Sequence, residues 1–377
     1  MMKSLKALAA SALCVGLSSS SFALEFNEVG HKAFGMGGVG VAVKNSPYGL
    51  FFNPALVSAK PGTKIGYSLG MNLNTKGMFE ILNYNLNSIN DIPRFNELLN
   101  NNAINAKGQA AVALQLPEFG IGSFAIGYVH NLYASMSFTG QLPTGTQDID
   151  NAQLGFTAAG FTLAEVPIAY AYTFNTPIGD LSAGVALKLM TSSFLRVNEK
   201  FDSSFTADKL MDSLSDILTS RNQSSSNFSL DLGLLYEPIK SLSIGIVGKN
   251  LTNPTFSFGD DKIKVRPQAR LGIGYTISKH ITIAADADLT NNDVLSFSDT
   301  KLQSQKIGAG LDVAFTFFDV RAGVAKDLRQ DNGVILSAGL GFGILDIGVA
   351  ASTSRGEFNG MKIPQYVALQ IGGGFVF

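Results

Sequence analysis

From Lys64 to Phe377 the sequence is a succession of short apolar/polar alternations, and the connections between them alternate in length. Fourteen segments have strand character: 64–72, 109–116, 121–130, 165–175, 180–190, 226–237, 241–250, 266–277, 281–290, 305–316, 319–327, 334–342, 345–353 and 365–377. In 266–277, Ala269, Leu271, Ile273, Tyr275 and Ile277 share one face, and Arg270, Gly272, Gly274 and Thr276 share the other. Segment 281–290 sets Ile281, Ile283, Ala285, Ala287 and Leu289 against Thr282, Ala284, Asp286 and Asp288, and 305–316 places Asp312 in the same way. A period of two with charges on one face predicts strands with lipid outside and a polar lumen inside. Turns 117–120, 176–179, 238–240, 278–280, 317–318 and 343–344 are short, whereas 73–108, 131–164, 191–225, 251–265, 291–304, 328–333 and 354–364 are longer. Short turns on one rim and long loops on the other are what an outer-membrane barrel requires, with the short turns periplasmic. A soluble β-sandwich ending in a hydrophobic strand is the alternative, but a sandwich does not require loop lengths to alternate.

Composition supports a membrane. Charged residues are 15 % and Gly is 40 of 377, against about 25 % charged in soluble domains, and mean hydropathy is +0.20. The best stretch for a spanning helix, Gly333–Ser352, holds five glycines and Asp346 and divides into two alternating runs. A closed barrel is the other structure a bilayer permits, because it pairs every backbone polar group. The expected fold is therefore all-β: a fourteen-stranded antiparallel transmembrane barrel occupying 63–377, multi-pass in the outer membrane, with both termini periplasmic.

Residues 1–23 carry Lys3 and Lys6, an apolar run Ala7–Leu17, and Ser21 and Ala23 at small-residue positions, which predicts a signal peptide cleaved after Ala23. A lipoprotein site at Cys14 is disfavoured by the bulk of Leu13. Cys14 is the only cysteine, so the rest of the chain has no disulfide, thiolate metal site or Cys nucleophile. Without Lys3 and Lys6 there are 26 basic residues against 29 acidic, a net of −3, which does not suggest nucleic acid.

Between the signal and the first strand, 24–62 is glycine-rich and apolar, and its stretch Gly30–Ala59 is expected to fold inside the barrel as a hatch. Gly35, Gly37 and Gly40 match the spacing of a dinucleotide-binding turn, but no buried strand feeds them. No HExxH or P-loop occurs. The three histidines, His31, His130 and His280, lie in separate elements, and Asp286, Asp288 and Asp312 are read as lumen lining. Neither catalytic residue, metal site nor cofactor is expected. Two long loops are expected to be helical and extracellular. Thr206–Thr219 places Leu210, Met211, Leu214, Ile217 and Leu218 on one face, and Thr75–Ile104 carries Met78, Phe79, Ile81, Leu82, Phe95, Leu98 and Leu99. These helices either pack on each other and the rim or roof an apolar entry groove.

The terminal strand 365–377 ends on Phe377 and resembles the recognition signal of bacterial outer-membrane barrels, which implies the barrel-assembly machinery as a partner. Phe26-Asn27-Glu28, the run Ala33 to Ala42 and Phe51-Phe52-Asn53-Pro54-Ala55 resemble the N-terminal hatch of the FadL superfamily; the Gly-Met-Gly-Gly wording is nearest the TraF-like and PorV-like branches. The resemblance implies passive uptake of hydrophobic small molecules, fatty-acid-like or aromatic, by a protein set in outer-membrane lipid and lipopolysaccharide. It marks Gly35, Gly37, Gly38, Gly40, Asn53, Pro54 and Ala55 as the hatch motif. Phe34, Phe51 and Phe52 of the hatch, with Leu214 and Leu218 of the loop helix, are the residues expected to touch ligand. The alternative it implies is a non-transporting barrel acting as scaffold or adaptor in conjugation or protein secretion, with a partner from such a system.

Overall fold

The computed structural model describes residues 24–26, 28–75, 77–82, 91–100, 102–141, 153–200, 223–259, 261–294, 303–358 and 360–377. The expected signal peptide and the expected helix 206–219, with Leu214 and Leu218, lie outside them. Fourteen antiparallel strands close into one barrel. In chain order the strands begin with β1 (Lys64–Asn74), β2 (Ile104–Gln115), β3 (Ser123–Gln141), β4 (Gln153–Thr176), β5 (Gly179–Lys200), β6 (Gln223–Ile239) and β7 (Leu242–Lys249). The wall continues, after a ribbon β8 (Thr255–Phe258) and β9 (Asp261–Lys264), with β10 (Gln268–Ser278) and β11 (Ile281–Asp288). A second ribbon, β12 (Asn292–Asp293) and β13 (Gln303–Ser304), precedes β14 (Lys306–Ala314), β15 (Asp319–Asp327), β16 (Val334–Phe342) and β17 (Leu345–Ser352). A third, β18 (Arg355–Phe358) and β19 (Met361–Pro364), precedes the closing strand β20 (Tyr366–Val376). Lys64 pairs with Gln115 of β2 on one side and with Val376 of β20 on the other, so no edge is left open.

Alternation decides which face of each strand meets the bilayer. Ile65, Tyr67, Leu69 and Met71 of β1 are exposed, whereas Lys64 and Ser68 are buried. On β10 Leu271, Ile273 and Tyr275 face out, and Gln268 and Arg270 face in. Among the described residues no helix is long and apolar enough to cross a membrane.

All fourteen expected strands are present, but the long-loop ends differ from expectation. Residues 131–141, 153–164 and 191–200, read as loop in the sequence, continue β3, β4 and β5, which reach 19, 24 and 22 residues. About 9–11 residues suffice to cross a bilayer, so these strands project well beyond it. Past the hydrocarbon the outward face need not be apolar, and the alternation that marks a lipid-facing strand fades. The inner face of this projection carries Phe161, Leu163, Met190 and Phe194, and ribbon β8–β9 covers them with Phe256, Phe258 and Ile263.

The first long loop holds two helices, α4 (Met78–Leu82) and α5 (Ile92–Asn100). Phe95 and Leu99 pack with Ile81 and Ile92 on Phe138 and Leu154 of the projecting strands. Asn102 fastens the helix end: its side-chain NH2 donates to Leu98 O (3.1 Å), Leu99 O (2.8 Å) and Phe138 O (2.9 Å), and its oxygen accepts from Phe138 N (2.7 Å). Of the two arrangements open for these helices, packing on each other and the barrel is the one observed.

Candidate functional site

Residues 24–62 fill the lumen. Three short helices, α1 (His31–Gly35), α2 (Gly49–Phe52) and α3 (Leu56–Ala59), carry the main apolar core between hatch and wall. That core sets Phe26, Tyr48, Phe51, Phe52 and Leu56 against inward alanines of β2, β3, β4 and β5. Where the wall offers glycine instead, the hatch backbone comes into contact with it. A Cβ at Gly184 would lie 2.4 Å from Ala55 N, at Gly308 2.3 Å from Gly37 O, at Gly310 2.2 Å from Met36 O, and at Gly323 2.1 Å from Gly37 N. Small residues facing in at this level thus form a girdle cut to the hatch, and the lumen there is closed.

Each motif residue has a geometric role. Gly37 and Gly38 have φ of +75° and +79°. A Cβ at Gly40 would strike the Phe52 ring at 2.4 Å, and one at Gly35 would stand 3.1 Å from Arg321 Cβ. Asp286 receives the N–H groups of Gly40 (2.7 Å) and Val41 (3.0 Å) on one oxygen. Asn53, fully buried, donates to Val41 O and Leu234 O, both at 3.1 Å, and accepts from Ala55 N at 3.0 Å. It therefore ties two hatch turns to each other and to β6. Pro54 and Ala55 lie over Gly184.

The expected ligand-contact residues separate. Phe34 packs with Ala350 and Ala368 and borders a cavity of about 40 Å³. Phe52 lies in the hatch core with its ring tilted 34° to that of Phe26 at 6.2 Å. Phe51 points at the wall, where its Cζ would be 2.7 Å from a Cβ at Gly127, and its carbonyl accepts from Lys249 Nζ at 2.9 Å. There the β3–β4 ladder is interrupted: pairing runs from Ile126↔Ile168 to Val129↔Glu165 and omits Gly127, Tyr128, Val166 and Pro167. Pro167 has no N–H to offer, and although β4 stays paired with β5 at Pro167↔Lys188, two residue pairs toward β3 are left out of the ladder while the register on either side is unchanged. Proline in mid-strand was the available signal, and the alternation count passed over it.

Charge clusters, also missed in the sequence, moor the hatch. At the short-turn end His31 Nε2 meets Asp346 at 2.9 Å and Lys32 Nζ meets Asp312 at 2.7 Å. Arg321 bridges Asp312 (3.2 Å), Asp346 (2.8 Å) and Asp319. Higher up, Arg270 pairs with Asp288 at 2.6 Å and lies 3.8 Å over the Phe26 ring. Lys188 joins Glu165 (3.1 Å) and Asp231 (3.0 Å). At the long-loop end Lys306 holds Glu25 at 3.0 Å, beside a cavity of about 80 Å³ lined by Asn72, Asn105, Lys107, Tyr133, Asp327 and Tyr366. Burial alone would raise the Glu25 carboxyl, but Lys306 outweighs it and holds Glu25 below the ordinary glutamate range. The described chain begins here, against the expectation that both ends lie on the short-turn side: Leu24 joins the Phe161–Phe258 cluster, and its carbonyl accepts from the Gln268 side chain, whereas Phe377 lies at the opposite rim.

The family model described as "F plasmid transfer operon, TraF, protein" matches residues 72–288, more than half of the chain. The chain belongs to this TraF family. No curated protein matches it in sequence. Among solved structures, the TraF-family chain is similar to the Ralstonia pickettii toluene transporter TbuX, with 15 % identity, a TM-score of 0.54, and 93 % of this chain and 99 % of TbuX covered. It is similar to the Pseudomonas putida toluene transporter TodX at 12 % identity and TM-score 0.53, over 93 % and 98 %. A Pseudomonas aeruginosa FadL homologue gives 12 % and 0.52, over 94 % and 99 %. At such identities the likeness is one of fold: the TraF-family member has the FadL-type barrel.

Proposed function

We propose that this chain is an outer-membrane channel for passive uptake of hydrophobic small molecules, fatty-acid-like or aromatic. In this reading residues 1–23 are its signal peptide and 24–62 its hatch, Phe377 is read by the barrel-assembly machinery, and the short turns face the periplasm. The observation that carries it is the interrupted β3–β4 ladder backed by Phe51. A lumen filled by the hatch gives a solute no straight path, so an apolar molecule leaves through the wall, where lipid is its better solvent. Phe34, Phe51 and Phe52 of the hatch, with Leu214 and Leu218, which lie outside the described residues, are the proposed contacts. The toluene transporters named above support the substrate class. No catalytic role is assigned to any residue.

The TraF description favours a second reading, a scaffold or adaptor in conjugation or secretion that transports nothing small. Uptake of a hydrophobic substrate at matched barrel levels separates the two. Wild type, Leu214→Asp with Leu218→Asp, and Asn53→Ala with Pro54→Ala are compared with a strain lacking the protein. Loss of uptake in the variants supports the channel; wild type equal to the deletion strain leaves the adaptor.

A further inference from the structure

The short-turn rim repeats one device three times. Tyr170 on β4 donates its hydroxyl to the carbonyl of Ile121 in the β2–β3 turn, Tyr236 on β6 to Ile178 in the β4–β5 turn, and Tyr67 on β1 to Ile344 in the β16–β17 turn, each at 2.6 Å. All three tyrosines face outward. Room is made for the rings by glycine: a Cβ at Gly122 would meet Tyr170 Cε2 at 2.7 Å, and one at Gly373 would stand 2.8 Å from the Tyr67 hydroxyl oxygen. The isoleucine side chains at the three tips are 69 %, 75 % and 62 % exposed.

A turn carbonyl in water needs no such cover, because water supplies the hydrogen bond at no cost to the protein. In hydrocarbon an unpaired carbonyl costs several kcal/mol, and a tyrosine, apolar along its ring and polar at its tip, meets both demands of an interface. The exposed isoleucines give the same indication, since apolar tips in water would forgo the gain of burial. The surface is also continuous with the lipid-facing band through Phe318, whose ring centroid lies 4.6 Å from that of Phe315 and 6.3 Å from that of Phe342. We propose that three tips of the short-turn rim dip into its leaflet, with Ile121, Ile178 and Ile344 inserted among lipid acyl chains as anchors, while the exposed Glu118, Lys240 and Lys279 of the same rim stay at the headgroup level. The inference is independent of what the barrel transports. It also removes these tips from the surface open to a soluble partner.

The chain contains no tryptophan, so single reporters can be read without background. Ile121→Trp, Ile178→Trp and Ile344→Trp barrels, each verified as folded by its heat-modifiable band, are placed in vesicles with brominated acyl chains or with aqueous iodide on both sides. Leu69→Trp on the lipid face and Asp331→Trp in the exposed β15–β16 connection serve as references. The three turn reporters are expected to behave as Leu69→Trp does, quenched by bromine and several-fold less by iodide. Quenching by iodide at the level of Asp331→Trp overturns the proposal and returns the tips to water, where a protein partner could reach them. A second measurement requires no tryptophan: Tyr170→Phe with Tyr236→Phe should lower the thermal midpoint in vesicles, since no water replaces the lost hydroxyls. An unchanged midpoint counts against submersion.

Discussion

Asn53 of the hatch and Gly233 of β6 meet so closely that a Cβ at 233 would stand 1.9 Å from the Asn53 side-chain oxygen. Wall and hatch are therefore fitted to each other residue by residue. Gly233→Ala should cost about 1–3 kcal/mol by overpacking, and Asn53→Ala a similar amount by leaving buried carbonyls unpaired. Because the alanine at 53 removes the obstruction, the double variant should be more stable than the sum of the two losses allows. Thermal midpoints of unboiled barrels on detergent gels give all four corners of that cycle, and strict additivity would contradict the fit.

Arg321 is the hub of the short-turn cluster. Arg321→Leu leaves Asp312, Asp319 and Asp346 without their shared cation, and breaking a buried pair in this way costs about 3–5 kcal/mol. Lys32→Ala removes a more exposed partner of Asp312 and should cost about 1 kcal/mol or less. Denaturant unfolding of the two variants in matched micelles tests the order.

The Glu25–Lys306 pair predicts a response to acid. A carboxyl whose pKa is lowered on folding stabilises the folded state fully above its unfolded value, about 4.3, and loses that contribution as pH falls through the lowered one. Hydrogen exchange of residues 24–38, corrected for intrinsic rates, should therefore hold steady from neutral pH down to the ordinary carboxylate range and rise below it. Glu25→Gln should raise exchange at neutral pH and flatten the acid response.

The wall gap predicts opposite effects from its two sides. Pro167→Ala supplies a backbone N–H at the interruption, a hydrogen bond worth about 1 kcal/mol, and should reduce hydrophobic-substrate uptake while raising stability. Phe51→Ala empties the space behind Gly127 and should increase uptake, at a stability cost of about 3–5 kcal/mol. Uptake that does not respond to either change would exclude this seam as the route.

The sequence by itself determined the strand count and the assignment of faces. Both follow from local periodicity: Ala269 to Ile277 can present an apolar face to lipid in one register only, and a shift of one residue would turn Arg270 and Asp286 outward. The glycine-rich run that fills the lumen was legible for the same reason, as a stretch that fits neither strand nor helix. Tertiary structure alone decided which wall glycine meets which hatch atom. Gly37 lies 300 residues from the Ser337 hydroxyl to which its N–H donates, 3.0 Å away, and no local pattern carries that pairing. The same holds for the ion pairs, since Asp312 reads as polar lining until Arg321 and Lys32 are brought to it. It holds as well for the projecting ends of β3 to β5, where partners from ribbon β8–β9 and α5, rather than lipid, set which residues are buried.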